Sequence, residues 1–176
     1  MARPTLFLML GYPGAGKTTA AKLISSLTGA QHLWADHVRR EMYHQPTYSH
    51  AENMHLYTHL NDVTRDLLAD SKSVVFDTNF NFYRDRQYLK TIATNLKADT
   101  ILVWVQVDKN LAKQRATDDA HMHSHTRVLG RMSDEHFDRI AKRLEVPRSN
   151  ETVVVIDGSK ISEAYMRMML RQAKLF

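Results

Sequence analysis

Three groups of residues have the types and spacing to do chemistry. The first is Gly11-Tyr12-Pro13-Gly14-Ala15-Gly16-Lys17-Thr18-Thr19, which fits the Walker A spacing G-x-x-x-x-G-K-[ST]. Glycine at 11, 14 and 16 opens backbone conformations closed to other residues, so several N–H groups along the loop can converge on one phosphate chain. A helix starting near Lys17 adds the positive end of its dipole at the same place. Lys17 supplies a mobile ammonium for the outer phosphates, and the Thr18 hydroxyl can ligate Mg²⁺. The implied ligands are ATP and Mg²⁺, held by Gly11, Pro13, Gly14, Ala15, Gly16, Lys17, Thr18 and Thr19.

The second group is Asp36, with Arg39 three residues on. A carboxylate opposite a phosphate loop can take the proton of an attacking hydroxyl, which makes Asp36 the general-base candidate. Asp36 also sits where a helix N-cap would fall, and the two roles are compatible. The third group is Asp77, which closes an apolar strand as a Walker B aspartate does and can act on Mg²⁺. Its competing reading is an Asx turn before Thr78-Asn79. Arg39, Arg84, Arg86, Arg115, Arg127 and Arg131 form the pool from which phosphate charge can be neutralised.

These groups need elements to position them. The apolar run Leu6–Leu10 feeds the loop, and Ala20, Leu23, Ile24 and Leu27 recur at helical spacing after it. His32–Ala35 reads as a short strand, with Asp36 capping a helix over 37–44. Ser49-His50-Ala51-Glu52 has the form of a capping box. It opens a helix whose apolar face holds Met54, Tyr57, Leu60, Val63, Thr64, Leu67 and Leu68. Val74–Phe76 is a third strand, followed by a helix with Tyr88, Leu89, Ile92, Ala93 and Leu96 on one side. Thr100–Val107 is a fourth strand, and Asp108 caps a helix to about Thr117. Ser133 begins a helix carrying Phe137, Ile140, Ala141 and Leu144, which Pro147 ends. Thr152–Ile156 is a fifth strand, and a last helix places Met166, Met168 and Met169 in the core.

Such alternation predicts a three-layer α/β fold with a five-stranded, mostly parallel sheet flanked by helices. Ligands in such sheets sit beyond the strands' carboxyl ends, where the loop, Asp36, Asp77 and Asp108 all fall. The 176 residues predict a single domain, 1–176, and with 43% hydrophobic and 24% charged residues the balance is that of an ordinary globular chain. With no cysteine, disulfides and thiolate metal sites are excluded. The net charge of +5 suits a phosphate binder without indicating a nucleic-acid partner. Ile101–Val107 is too short to span a bilayer, and the expected location is the cytoplasm. No obligate protein partner is indicated.

The residues of all three groups carry a resemblance. The loop, Asp36-His37-Val38-Arg39, and Val75-Phe76-Asp77-Thr78-Asn79-Phe80-Asn81 with Arg84 and Arg86 resemble the P-loop kinases that include polynucleotide 5′-hydroxyl kinases, zeta toxins and chloramphenicol phosphotransferase. The likeness runs to about Arg115 and implies a P-loop NTPase fold, nucleoside-kinase-like, with a helical lid near 115–145. It implies that Asp36 is the base, that Arg39 clamps the acceptor, and that Arg115 or Arg127 closes over the phosphates. Asp118 and Asp119 stand where this group carries a second lid arginine, which is a departure from the pattern.

The function that follows is ATP- and Mg²⁺-dependent transfer of a γ-phosphoryl group to a hydroxyl. The acceptor is a nucleic-acid 5′ end or a small molecule; two tryptophans and no basic–aromatic strip favour the small one, while Asp77-Thr78-Asn79 favours the other. The alternative is an ATPase or nucleotide-dependent switch. His55 and His59 share a helix face, and His121, His123 and His125 alternate, but neither group makes a full ligand set.

Overall fold

In the computed structural model of the protein, which describes residues 3–118 and 132–175, the runs and stripes resolve into alternating strands and helices. In chain order they are β1 (Thr5–Leu10), α1 (Lys17–Thr28), β2 (Gln31–Trp34), α2 (Ala35–Met42), α3 (His50–Ala69), β3 (Val74–Asp77) and α4 (Tyr83–Asn95). There follow β4 (Asp99–Gln106), α5 (Lys109–Thr117), α6 (Asp134–Ala141), β5 (Val153–Asp157) and α7 (Glu163–Gln172). The strands form one sheet in the order β2-β3-β1-β4-β5, and every pairing is parallel.

Parallel strands at the centre of a sheet are covered on both faces, which is why β1 is an unbroken apolar run. Its alternate side chains feed two cores. Leu6, Leu8 and Leu10 pack with Phe76, Leu102, and Leu56, Leu60 and Leu68 of α3. Phe7 and Met9 face the other way, against Ala20, Ala21 and Ile24 of α1 and Met166 and Leu170 of α7. The sheet is therefore a middle layer between helices, as the alternation predicts.

Several local expectations are corrected. Asp36 is not the cap of α2: Trp34 holds that position, and Asp36 lies in the first turn. The capping box is half formed, since Ser49 Oγ accepts from Glu52 N at 3.2 Å while the Glu52 carboxylate turns elsewhere. The buried stripe of α3 is Glu52, Leu56, Leu60, Thr64 and Leu68, a strict four-residue repeat. Met54 is exposed, as are Tyr88 on α4 and Met168 on α7. The helix after Ser133 stops at Ala141, so Leu144 lies past its end and packs beneath the sheet instead.

Arg86 shows how the loop after β3 is held. It is fully buried, its Nε and Nη2 donate to the two Glu151 oxygens at 2.6 and 3.0 Å, and Nη1 donates to the carbonyls of Phe80, Asn81 and Glu145. One guanidinium thus ties the segment behind Asp77 to the approach to β5. Removing one partner of a buried ion pair strands the other charge. Arg86→Ala is expected to lower unfolding free energy by about 3–5 kcal/mol in a denaturant titration.

Candidate active site

The carboxyl ends of β1, β2 and β3 lie side by side, because β1 pairs with β3 and β3 with β2, in a register that sets Trp34 opposite Asp77. The loop after β1, Asp36 just after β2, and Asp77 at the end of β3 therefore share one edge of the sheet. The loop is packed as tightly as its composition requires. Gly14 has φ +80°, and a Cβ there would stand 2.2 Å from the Ala112 carbonyl of α5. Gly16 closes the loop as the left-handed N-cap of α1, so Lys17, Thr18 and Thr19 form the first helical turn.

Lys17 Nζ donates to the loop's own carbonyls, Gly11 O at 3.0 Å and Tyr12 O at 2.9 Å. Burial pulls its pKa down to about 8, while the carboxylates of Asp77 and then Asp36 pull it back up. Asp36 moves in the opposite sense: burial raises it, Arg39 opposes that, and Asp77 adds to it. The carboxylates of Asp36 and Asp77 therefore lie close enough to act on the ammonium of Lys17, and Asp77 close enough to act on Asp36. A carboxyl made more basic in this way is a better proton acceptor.

Asp77 is buried, and one of its oxygens, Oδ2, is hydrogen-bonded to His32 Nε2 at 3.1 Å. Trp34 stacks on His32 with ring planes 4° apart. Thr18 and Asp77 give a hydroxyl and one carboxylate, a donor set suited to Mg²⁺, which keeps waters and takes its remaining ligands from phosphates. Among the described residues no group of three His, Cys, Asp or Glu could hold a metal by protein ligands alone. His55 bonds Tyr43, while His121, His123 and His125 lie outside the described residues.

Arg39, expected to clamp an acceptor, is buried and already engaged. Nη1 pairs with Glu52, Nη2 donates to Asn53 Oδ1 at 2.7 Å, and the Tyr48 ring lies 4.5 Å from the guanidinium. Glu52 also accepts from Thr47 N and Oγ1 at 2.6 and 2.8 Å. Tyr57 reaches across from α3 to bond Thr78 Oγ1 at 2.8 Å. Of the basic pair after Asp77, Arg84 is exposed and Arg86 is buried with Glu151.

On the other side of the loop, Arg115 Nη1 donates to Gly158 O at 3.2 Å. Gly158 is pressed against the loop so closely that a Cβ would sit 2.3 Å from the Ala15 carbonyl. A cavity of about 590 Å³ opens beside Tyr12 between the ends of β4 and β5, with Trp104, Gln106, Leu144 and Asp157 in its walls. Arg127 and Arg131, with residues 119–131 of the expected 115–145 lid, lie outside the described residues; the end of α5 and all of α6 fall in the part that is described. Sequence reasoning missed Glu52, Tyr48, Tyr57, His32 and Gly158. Ser49-x-x-Glu52 was the one available signal, and it pointed to capping.

The profile of a protein family described as an AAA domain matches residues 6–147. No curated protein matches the chain. Among solved structures it is similar to a putative kinase from Chloroflexus aurantiacus, at 16% identity and TM-score 0.75 over 99% of this chain and 97% of that one. It is similar to the APS kinase CysC of Mycobacterium tuberculosis, solved with AMPPNP and APS, at 16% identity and TM-score 0.64 over 99% and 98%. It also matches part of the Pnkp1/Rnl/Hen1 RNA repair complex, at 17% identity and TM-score 0.68 over 82% of this chain and 45% of that one. At these identities the likeness establishes the P-loop kinase fold. Among the described residues no helix is long and apolar enough to cross a membrane.

Triphosphate binding should restore the lysine's proton affinity. At pH 8 a group with pKa near 8 is half protonated, so ATP binding is expected to take up about half a proton. Uptake should fall towards zero by pH 6, where Lys17 is already charged. Calorimetry in buffers of different ionisation enthalpy measures this directly, and Lys17→Met should abolish it.

Proposed function

The chain belongs to the AAA-domain family matched over residues 6–147, and from that premise we propose that it is an ATP- and Mg²⁺-dependent kinase that phosphorylates a hydroxyl group. The observation that carries this reading is that Asp36 joins Asp77 and Lys17 at one sheet edge, near enough for both carboxylates to act on the lysine. A nucleotide binder needs the lysine and the loop. It has no need of a second, more basic carboxyl beside them.

The triphosphate lies in the loop with its γ-phosphate towards the β2–β3 side, where Asp36 stands. Its nucleoside then lies towards β4 and β5, where Arg115, Gly158 and the cavity are found. Lys17 leaves the Gly11 and Tyr12 carbonyls for the outer phosphates, exchanging two neutral partners for anionic ones. Thr18 and Asp77 would hold Mg²⁺, which would supply positive charge to the phosphates. His32 keeps the Asp77 carboxylate oriented by holding Oδ2.

The acceptor oxygen attacks the γ-phosphorus in line, and the bond from that phosphorus to the β–γ bridging oxygen breaks. Asp36 takes the acceptor's proton, and ADP leaves. Arg39 acts here as a brace: through Glu52 and Asn53 it joins α2 to α3 and fixes the turn that bears Asp36. Arg115 closes the nucleoside side, and Arg127 remains a candidate for the phosphates.

Asp36→Asn separates this reading from that of an ATPase or switch. It is expected to lower acceptor phosphorylation by roughly 10²–10⁴-fold without weakening ATP binding. An unchanged yield of phosphorylated acceptor would remove Asp36 as the base.

A further inference from the structure

We infer, granting the kinase reading above, that Tyr48 is an acceptor-binding residue, whose ring selects an acceptor with a flat ring of its own next to the hydroxyl that is phosphorylated. Tyr48 has φ +55°, in the left-handed region. That conformation is unfavourable for any residue with a Cβ and rare for one as bulky as tyrosine. Among the described residues Ser71, Lys97 and Lys174 share such a φ. Each of these stands just past α3, α4 or α7, and the N–H of the following residue returns to the last turn: Lys72 to Leu67, Ala98 to Ala93 and Leu175 to Leu170. They are ordinary left-handed helix stops. Tyr48 stands before a helix instead, ahead of the Ser49 cap of α3, where no stop is needed.

Its surroundings hold the conformation from both sides of the residue. Glu52 Oε2 accepts from Thr47 N, Thr47 Oγ1 and Tyr48 N at 2.6, 2.8 and 3.2 Å, and Asn53 Nδ2 donates to the Tyr48 carbonyl at 3.2 Å. Strained residues persist only where neighbours over-determine them in this way, and they gather at ligand sites. Asparagine or glycine would make the same turn with less strain. What tyrosine adds is a ring, and the turn delivers it to one place, 4.5 Å from the Arg39 guanidinium. Glu52 and Asn53 hold that guanidinium as well. The same two side chains therefore fix both the ring and the cation it lies on.

That place is the acceptor side of the site. Arg39 follows Asp36 by three residues on α2, so the two are neighbours on one side of the helix. A ring set on Arg39 is thus set beside the carboxylate that takes the acceptor's proton. The phenol responds to its surroundings: burial first, and then the charge of Asp36, push its pKa up. Tyr48 stays half-buried, with the guanidinium against one face. An aromatic ring in that position is a stacking surface for the flat face of a sugar ring or a nucleobase. An open-chain polyol offers no such face.

The test offers matched acceptors with γ-labelled ATP and Mg²⁺: glucose against sorbitol, ribose against ribitol, and a 5′-hydroxyl oligothymidylate against the same strand with an abasic first residue. In the pair that is labelled, the member with the ring is expected to have a kcat/KM on the order of tenfold higher. Which pair is labelled tells whether the ring is that of a sugar or of a nucleobase. Tyr48→Asn suits the left-handed backbone and is expected to raise the acceptor KM about tenfold while ATP affinity stays as it was. Tyr48→Phe keeps the ring and should keep the KM. A ring that served packing alone would leave the acceptor KM unchanged in Tyr48→Asn, and that result would overturn the inference while leaving the kinase reading intact. Equal use of both members of the labelled pair by the wild-type protein would do the same, and this comparison needs no variant to fold. ATP hydrolysis with no label in any acceptor would overturn the kinase reading itself, and this inference with it.

Discussion

A buried lysine ammonium within the field of two carboxylates at the end of a parallel sheet is the interaction from which the rest of the molecule takes its meaning. Lys17 must be close enough to a phosphate chain to bind it, yet burial there lowers its pKa to about 8. The charges of Asp77 and Asp36 work against that loss. None of the three could be so arranged without β1 lying between β3 and β4, with β2 on the far side of β3. The strand order is thus a functional requirement as much as a packing result.

Two buried ion pairs stabilise the acceptor side from behind. Arg86–Glu151 fixes the loop that follows Asp77, and Arg39–Glu52 fixes α2 against α3. Buried charges are costly to desolvate and are tolerated where their remaining hydrogen-bonding capacity is met. Arg86 uses Nε and both Nη atoms on carboxylate or carbonyl oxygens, whereas Arg39 leaves Nε without a partner.

Much of this arrangement was legible in the sequence because it rests on local rules. The phosphate loop follows from glycine spacing, the strands from β-branched runs, and the positions of Asp36 and Asp77 from strand ends. What could not be read depends on where distant residues meet. Glu52 was readable as a cap, but its partner Arg39 lies thirteen residues back on another helix, and the pair forms only when α2 and α3 pack together. The same holds for Gly158, whose turn reads as ordinary until the last strand is laid beside β4 and the turn is pressed onto the loop. Arg86 stood in the pool of arginines that could neutralise phosphate charge, and in the fold it is buried with Glu151 instead. The α3 stripe was read well except at its start: Tyr57, Leu60, Val63, Thr64, Leu67 and Leu68 are buried or pack against the core, while Leu56 takes the inward place and Met54 is exposed.

The position of Asp36 relative to a bound γ-phosphate decides whether this site transfers a phosphoryl group to a hydroxyl. A crystal structure with AMPPNP, Mg²⁺ and a labelled acceptor measures it directly. The predicted result is an acceptor hydroxyl in line with the γ-phosphorus and about 2.6–3.2 Å from an Asp36 carboxylate oxygen. An Asp36 carboxylate turned towards α3, with no room for an oxygen between it and the γ-phosphate, would contradict the account.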